Sequence, residues 1–283
     1  MSELGLVMIV KDEEPRIARC LQAVEPFIDH WTICDTGSTD RTKEIVRETL
    51  GHIPGRLYEH QWRNFGDNLN MALARAKGTS RWVLRLDADM TFWCDVQFNL
   101  RKWMRRRRKA QVDALYVELR EGTDRWDLPL ITRGDLDWRY VGPTHEYLDM
   151  TGRSWLKLNG IQIEHHADGT RRAEKFMDDI RLLAPGVAAG DERAVYYTAD
   201  SLRCLGRTEE AIEMFLRRSR MGGFEEEAWY AQFMAAKLLG SIPALYAAWR
   251  RRPWRHEPLT EAARLAATIE PDEPDVLWRQ EVP

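Results

Sequence analysis

Cysteine is sparse in this 283-residue chain: Cys20, Cys34, Cys94 and Cys204 lie far apart, with no CxxC pair and no local grouping with histidine. That excludes a disulfide framework and gives no zinc-site spacing, so the thiols read as reduced and mostly packed. Long apolar runs are also lacking. The longest, Leu4 to Val10, contains a glycine and is far too short to cross a bilayer, and the first eleven residues lack the basic region and long apolar core of a signal peptide. The expectation is a cytoplasmic protein with no membrane contact. Neither sign of charge dominates, since 42 Lys+Arg against 45 Asp+Glu leave −3, which gives no global reason to bind nucleic acid or an anionic surface. Lysine is scarce, 8 residues against 34 arginines, and the basic charge concentrates locally: residues 101–109, RKWMRRRRK, hold seven basic side chains in nine. Such a run is either a solvated helix face or a docking surface for polyanions.

What is present is a globular composition. With 44% hydrophobic and 31% charged residues the chain can bury a sizeable core, in one large or two ordinary domains. The first half alternates strand and helix signals and so reads as an α/β sheet domain. Leu4 to Val10 is a strand; Pro15, in a first helical turn, precedes Ile17, Leu21 and Val24 at helical spacing. Trp31 to Cys34 is a second strand, and Asp35-Thr36-Gly37-Ser38-Thr39-Asp40 leads into a helix closed by Gly51. Leu57-Tyr58 is a weak third strand; a helix with Phe65, Leu69, Ala72 and Ala76 inward stops at Gly78; Trp82 to Leu86 is a strand ending in Asp87-Ala88-Asp89. Polar residues thus gather at strand carboxyl ends, where open α/β sheets hold ligands. Strand signals at 114–119, 128–132 and 160–164 suggest added sheet carrying the acceptor side of a site.

From about Arg171 the chain turns helical and repeats at a shift of 34 residues: Tyr196, Leu205 and Gly206 map onto Tyr230, Leu239 and Gly240, and Phe215 onto Trp249. That period is the signature of tetratricopeptide (TPR) helix pairs, with a partial third repeat over Pro258 to Ile269; the alternative is an ordinary helical domain with a chance match. So short a stack cannot cover its own ends and is expected to pack on the sheet domain. The domains are 1–170 and 171–283.

Asp87 and Asp89, one residue apart at a strand end, can share a face and reach one hard divalent cation together with sugar or phosphate oxygens. Asp35 ends another strand beside a helix N-terminus, where its carboxylate can accept the imide N–H of a uracil or a ribose hydroxyl. Ser38 and Asp40 read more simply as caps.

Three stretches together, Val7-Met8-Ile9-Val10-Lys11-Asp12-Glu13-Glu14, Asp35 to Asp40, and Trp82 to Asp89, closely resemble the family 2 glycosyltransferases of GT-A fold. Tyr140-Val141-Gly142-Pro143-Thr144-His145-Glu146-Tyr147-Leu148 resembles the acceptor-side His-Glu segment of a branch of that family, and His165-His166-Ala167-Asp168-Gly169 its C-terminal histidine motif; that branch often carries a TPR-like tail. The resemblance implies a GT-A, Rossmann-like nucleotide-sugar domain followed by an α-helical TPR-like domain. It further implies inverting, metal-dependent transfer of a sugar from a nucleoside diphosphate, UDP favoured, to a hydroxyl on a macromolecule, either a protein or a modified DNA base.

Carried onto this sequence, the resemblance makes Val10, Lys11, Glu13, Asp35, Asn68, Arg85 and Asp87 donor contacts. Asp89 and His165 become ligands of Mn2+ or Mg2+, with His166 as the fallback. Glu146 becomes the general base, and Arg133, Trp138, Arg139 and His145 line the acceptor cleft. One departure is plain: the branch often has Asn-Arg where this chain has Asn68-Leu69, so that arginine is missing or replaced by Arg63 or Arg85. The rival is a non-catalytic TPR-type interaction protein with a degenerate transferase domain, against which the intact Asp35, Asp87, Asp89, Glu146 and His165 argue. The sequence leaves the oligomeric state open.

Overall fold

The computed structural model describes residues 2–106, 111–167 and 173–268, and the chain divides into two compact units, Met1–Thr170 and Arg171–Pro283. In the first unit β1 (Ser2–Val10), α1 (Ile17–Val24), β2 (His30–Asp35), α2 (Thr42–Leu50), β3 (Gly55–Glu59), α3 (Phe65–Ala76) and β4 (Ser80–Arg85) alternate, and β1 pairs in parallel with both β2 and β4. After these come β5 (Met90–Cys94), α4 (Leu100–Arg106), β6 (Ala114–Glu121), β7 (Asp124–Arg133), the short β8 (Tyr140–Val141) and β9 (Tyr147–Leu148), and β10 (Trp155–His165). One sheet of eight strands runs β3-β2-β1-β4-β7-β6-β10-β5, and β8 and β9 form a separate ribbon. This is a Rossmann-like α/β sheet with a mixed extension.

The alternation of β1 explains its layers. Leu4, Leu6, Met8 and Val10 face a core with Ile17, Leu21, Val24, Val46 and Leu50. Val7 points the other way, to Ala72 and Ala76 of α3. A strand covered on both faces reads as a continuous apolar run, as this one does. Since β2 lies on one side of β1 and β4 on the other, the connections reverse direction at β1, and the crevice beyond its carboxyl end is the expected ligand position.

Two local readings shift. Pro15 lies ahead of α1, which starts at Ile17 without a side-chain cap. The reason is tertiary: the N–H groups of Asp12, Glu13 and Glu14 donate to the side chains of Ser38, Thr42 and Asp40, so 11–16 is held as a loop, with Asp12 at φ +52°. Ser38 and Asp40 therefore brace this loop, beyond any capping at the start of α2. The strand Met90–Cys94 carries no clear local signal, being five residues directly behind the acidic turn; its place is set by antiparallel pairing with β10.

The second unit stacks α5 (Ala173–Ala189), α6 (Glu192–Cys204), α7 (Thr208–Ser219), α8 (Glu225–Leu238), α9 (Ile242–Arg251) and α10 (Glu257–Ala266). The 34-residue shift superposes α6/α7 on α8/α9, and Gly206 and Gly240 occupy the left-handed region (φ +73° and +62°) where each first helix turns into its second. Phe215 is fully buried, whereas its counterpart Trp249 is only half-buried and donates its indole N–H to the Pro253 carbonyl. Of the partial third repeat α10 is formed; Ile269 lies outside the described residues. Among the described residues no helix is long and apolar enough to cross a membrane.

Candidate active site

Strand ends bring the expected residues of the sheet unit to one edge. Asp35, the last residue of β2, is fully buried; its Oδ1 accepts the N–H groups of Gly37 (2.9 Å) and Ser38 (2.8 Å), while its buried Oδ2 has no hydrogen-bond partner. Asn68, in α3, is fully buried too, and neither atom of its amide is bonded. Beside it His60 donates its backbone N–H to the Asp35 carbonyl, and its half-buried ring lies against the Asn68 side chain. Burial and the nearby Arg75 lower its pKa, against the Asn68 side chain, which raises it. Two fully buried residues, Asp35 and Asn68, thus keep bonding capacity unused at the switch point of the sheet, and such a group costs about 1–3 kcal/mol unless something pairs with it. His60 carries no motif that sequence reading would select.

The second cluster centres on the acidic turn after β4. Arg85 donates to Asp87 (3.0 Å), lies 3.5 Å from Glu146 Oε1, and its guanidinium stands 5.7 Å from the centre of the Tyr140 ring. This arginine, expected among the donor contacts, thus links the Asp87 and Glu146 carboxylates. Burial raises the Glu146 pKa above the usual carboxylate range against the opposing charge of Arg85. Burial, with Asp89 and Asp87 adding to it and Arg16 opposing, pushes Glu13 up to about 7. His165 Nε2 lies 3.1 Å from Asp89 Oδ2, and Nδ1 lies 2.9 Å from Glu121 Oε2. The bond to Asp89 outweighs burial and, with Glu121, lifts His165 to about 9; His165 in turn holds Asp89 below its ordinary range despite burial. His166 turns elsewhere, its ring 2.6 Å from the Thr91 hydroxyl.

The segment carrying Glu146 is seated on α3. Asn70 bonds both backbone groups of Tyr140, Phe65 N–H donates to the Pro143 carbonyl, and Gly66 comes so close to Gly142 that a Cβ there would lie 2.2 Å from its carbonyl oxygen. Leu69, standing where the family branch often has arginine, packs with Tyr140 and Leu148 and so belongs to this seat. Arg63 is exposed. His145, beside Glu146, has φ +47°, a conformation a non-glycine residue adopts only when its surroundings impose it.

Val10 is the register partner of Asp35 and so stands beside the first cluster, whereas Arg133 lies apart from both. Val10 is buried and its carbonyl accepts from Thr36; Lys11 is exposed. Arg133 pairs opposite Trp82, five residues before Asp87 along the chain or roughly 16 Å at strand rise, and grips Asp135 with two bonds. Trp138 donates to the Arg133 carbonyl and is covered by Arg153; Arg139 is exposed. Arg133 is not brought beside Glu146 in the strand register, whereas Trp138 packs against the cluster of Leu69, Tyr140 and Leu148. Of the basic run, Arg101 pairs with Asp29 and Lys102, Arg105 and Arg106 are exposed, while Arg107, Arg108 and Lys109 lie outside the described residues.

Residues 6–157 match the profile of the family described as Glycosyl transferase family 2. The chain is similar to a TPR repeat-containing protein of Synechococcus elongatus, 34% identical over 156 residues, 53% of this chain and 36% of that one. It is 23% identical over 231 residues to the SPbeta prophage-derived glycosyltransferase SunS of Bacillus subtilis, 75% of this chain and 52% of the other. The chain spans about half or less of the length of the curated relatives it matches. Among solved structures it is similar to S. aureus TarS, at 14% identity and a TM-score of 0.48, over 93% of this chain and 54% of that one.

Proposed function

Because the chain belongs to glycosyl transferase family 2, we propose that it transfers a sugar, with inversion, from a nucleoside diphosphate to a hydroxyl on a macromolecular acceptor. The observation that carries the donor half is the buried, unbonded Oδ2 of Asp35, with Asn68 and His60 beside it. An acceptor oxygen of that kind suits the imide N–H of a uracil, and the Asn68 amide can both donate to and accept from the base edge; UDP is the favoured carrier. Asp87 is the ribose contact.

Asp89 and His165 offer a carboxylate oxygen and an imidazole nitrogen that already converge, a donor set that suits Mn2+ or Mg2+. Among the described residues no group of three such side chains is preassembled, so diphosphate oxygens would complete the shell. When bound, the cation supplies charge neutralisation of the departing diphosphate. Glu146 takes the proton of the acceptor hydroxyl as its oxygen attacks the anomeric carbon and the bond to the diphosphate oxygen breaks; the electron pair leaves with the diphosphate. Burial makes Glu146 a stronger base than an exposed carboxylate, and the charge of Arg85, 3.5 Å away, opposes that rise. The acceptor is a protein or a modified DNA base, with the helical unit as its recognition element.

A hydrolysis screen of UDP- and GDP-sugars with and without Mn2+ tests this reading. UDP-sugar turnover should require the cation, and Asp89→Ala should abolish it while the circular dichroism spectrum is retained. Undiminished turnover in EDTA would remove the metal from the mechanism, and failure to bind any nucleotide would remove the donor assignment.

A further inference from the structure

The register of the added strands sets a row of side chains ahead of the site. Leu119 of β6, Ile163 of β10 and Phe92 of β5 are direct neighbours across the sheet and face its core. Side chains two residues along a strand share a face. The next row on that face is therefore Glu121, His165 and Met90, and in that row the apolar surface gives way to a carboxylate and an imidazole. Glu121 ends β6, just before a turn through Gly122, so its carboxylate sits at the sheet edge. On the opposite face Arg120 and Glu118 pair with one another at 2.6 Å. Glu121 instead meets the imidazole at 2.9 Å, on the nitrogen remote from Asp89.

We propose that Glu121 is a positioning residue of the metal site, holding the Nδ1–H of His165 and so presenting Nε2 as the second protein donor beside Asp89. The proposal rests on the metal reading given under Proposed function. An imidazole binds a cation through one nitrogen while the other keeps its proton, and which does which is set by the hydrogen bond the second nitrogen makes. Asp89 and Glu121 divide the ring between them: one carboxylate lies where the cation is to bind, the other fixes the proton and the ring plane. Glutamine at this position could still bond to the ring, but its amide would accept more weakly and could turn to present a donor, leaving the tautomer unfixed.

The full chain with UDP present is titrated with Mn2+ by calorimetry, and the bound ion is examined by pulsed electron spin resonance for nitrogen coupling from the imidazole. Glu121→Gln should weaken Mn2+ binding by about 10- to 100-fold and reduce the nitrogen coupling, with UDP affinity in EDTA and the melting temperature unchanged. Mn2+ affinity within twofold of the parent, while His165→Ala weakens it strongly, overturns the role of Glu121 and leaves the metal site standing. Weakened binding with an unaltered nitrogen coupling also overturns it, assigning Glu121 to folding. If Asp89→Ala and His165→Ala both leave Mn2+ affinity unchanged, the metal reading itself fails and this proposal falls with it.

Discussion

Arg218 of the helical unit and Asn68 of the sheet unit are both completely buried, and the protein treats them in opposite ways. In the helical unit the guanidinium of Arg218, fully excluded from solvent, donates through Nε to Glu227 (2.8 Å), through Nη1 to the Gly222 carbonyl (3.3 Å) and through Nη2 to the Phe224 carbonyl (3.1 Å). In the sheet unit Asp35 and Asn68 are equally buried, yet one carboxylate oxygen and a whole amide are unbonded. Desolvation works against both. Where the protein supplies partners to all three nitrogens, the group ties helices and loop together; where polar atoms are left without one, the fold carries an unrepaid cost at the place where sheets of this kind bind ligands.

The largest effect that would sharpen this contrast is on the helical side. Arg218→Met leaves Glu227 buried without its partner and should lower unfolding stability by about 3–5 kcal/mol, read from urea titration of the full chain, with UDP affinity unchanged. A loss below about 1 kcal/mol would show that this network behaves like a surface pair. Next comes Glu146→Gln, which should cost transfer about two or more orders of magnitude in single-turnover assays and leave nucleotide affinity within a small factor. Failure to bind nucleotide would move Glu146 to the donor side.

Asn68→Leu inverts the sign seen at Arg218. Replacing an unbonded buried amide by an apolar group of similar size should stabilise the fold by about 1 kcal/mol and weaken UDP binding, measured by melting and calorimetry on one preparation. Destabilisation together with unimpaired UDP binding would mean that the amide serves packing.

A further contrast lies in the pH dependence of the metal-free fold. Glu13 rises from 4.5 to about 7 and His165 from 6.5 to about 9, so the folded state binds each proton more tightly than the unfolded chain does. Each contribution is present below the lower value and is lost as pH passes the upper one. The melting temperature in EDTA should therefore fall between pH 5 and pH 9, and Glu13→Gln should flatten the acidic part of that slope. A profile that rises across this range contradicts both assignments.

What could be read along the chain was whatever is local. The β-α alternation, the Asp35 turn, the Asp87-Ala88-Asp89 end of β4, the paired histidines and the 34-residue helical period are consecutive or periodic features, and the main elements formed near where those features put them. Asp35 was selected as an acceptor because a carboxylate at a strand end beside a helix N-terminus is visible in six residues. That its second oxygen stays buried without a partner was not, because that depends on how α3 packs on β2.

Residue type and order determined the sheet, the helical tail and the side chains available for chemistry. Only the tertiary structure decided that Glu121 meets His165, that Arg85 reaches Glu146 across 61 positions, and that Asn70 and Leu69 seat the Glu146 segment. Those pairings follow from strand register and helix packing between segments far apart in sequence. No local pattern encodes them, because a shift of one residue in any strand would turn each of its side chains to the opposite face.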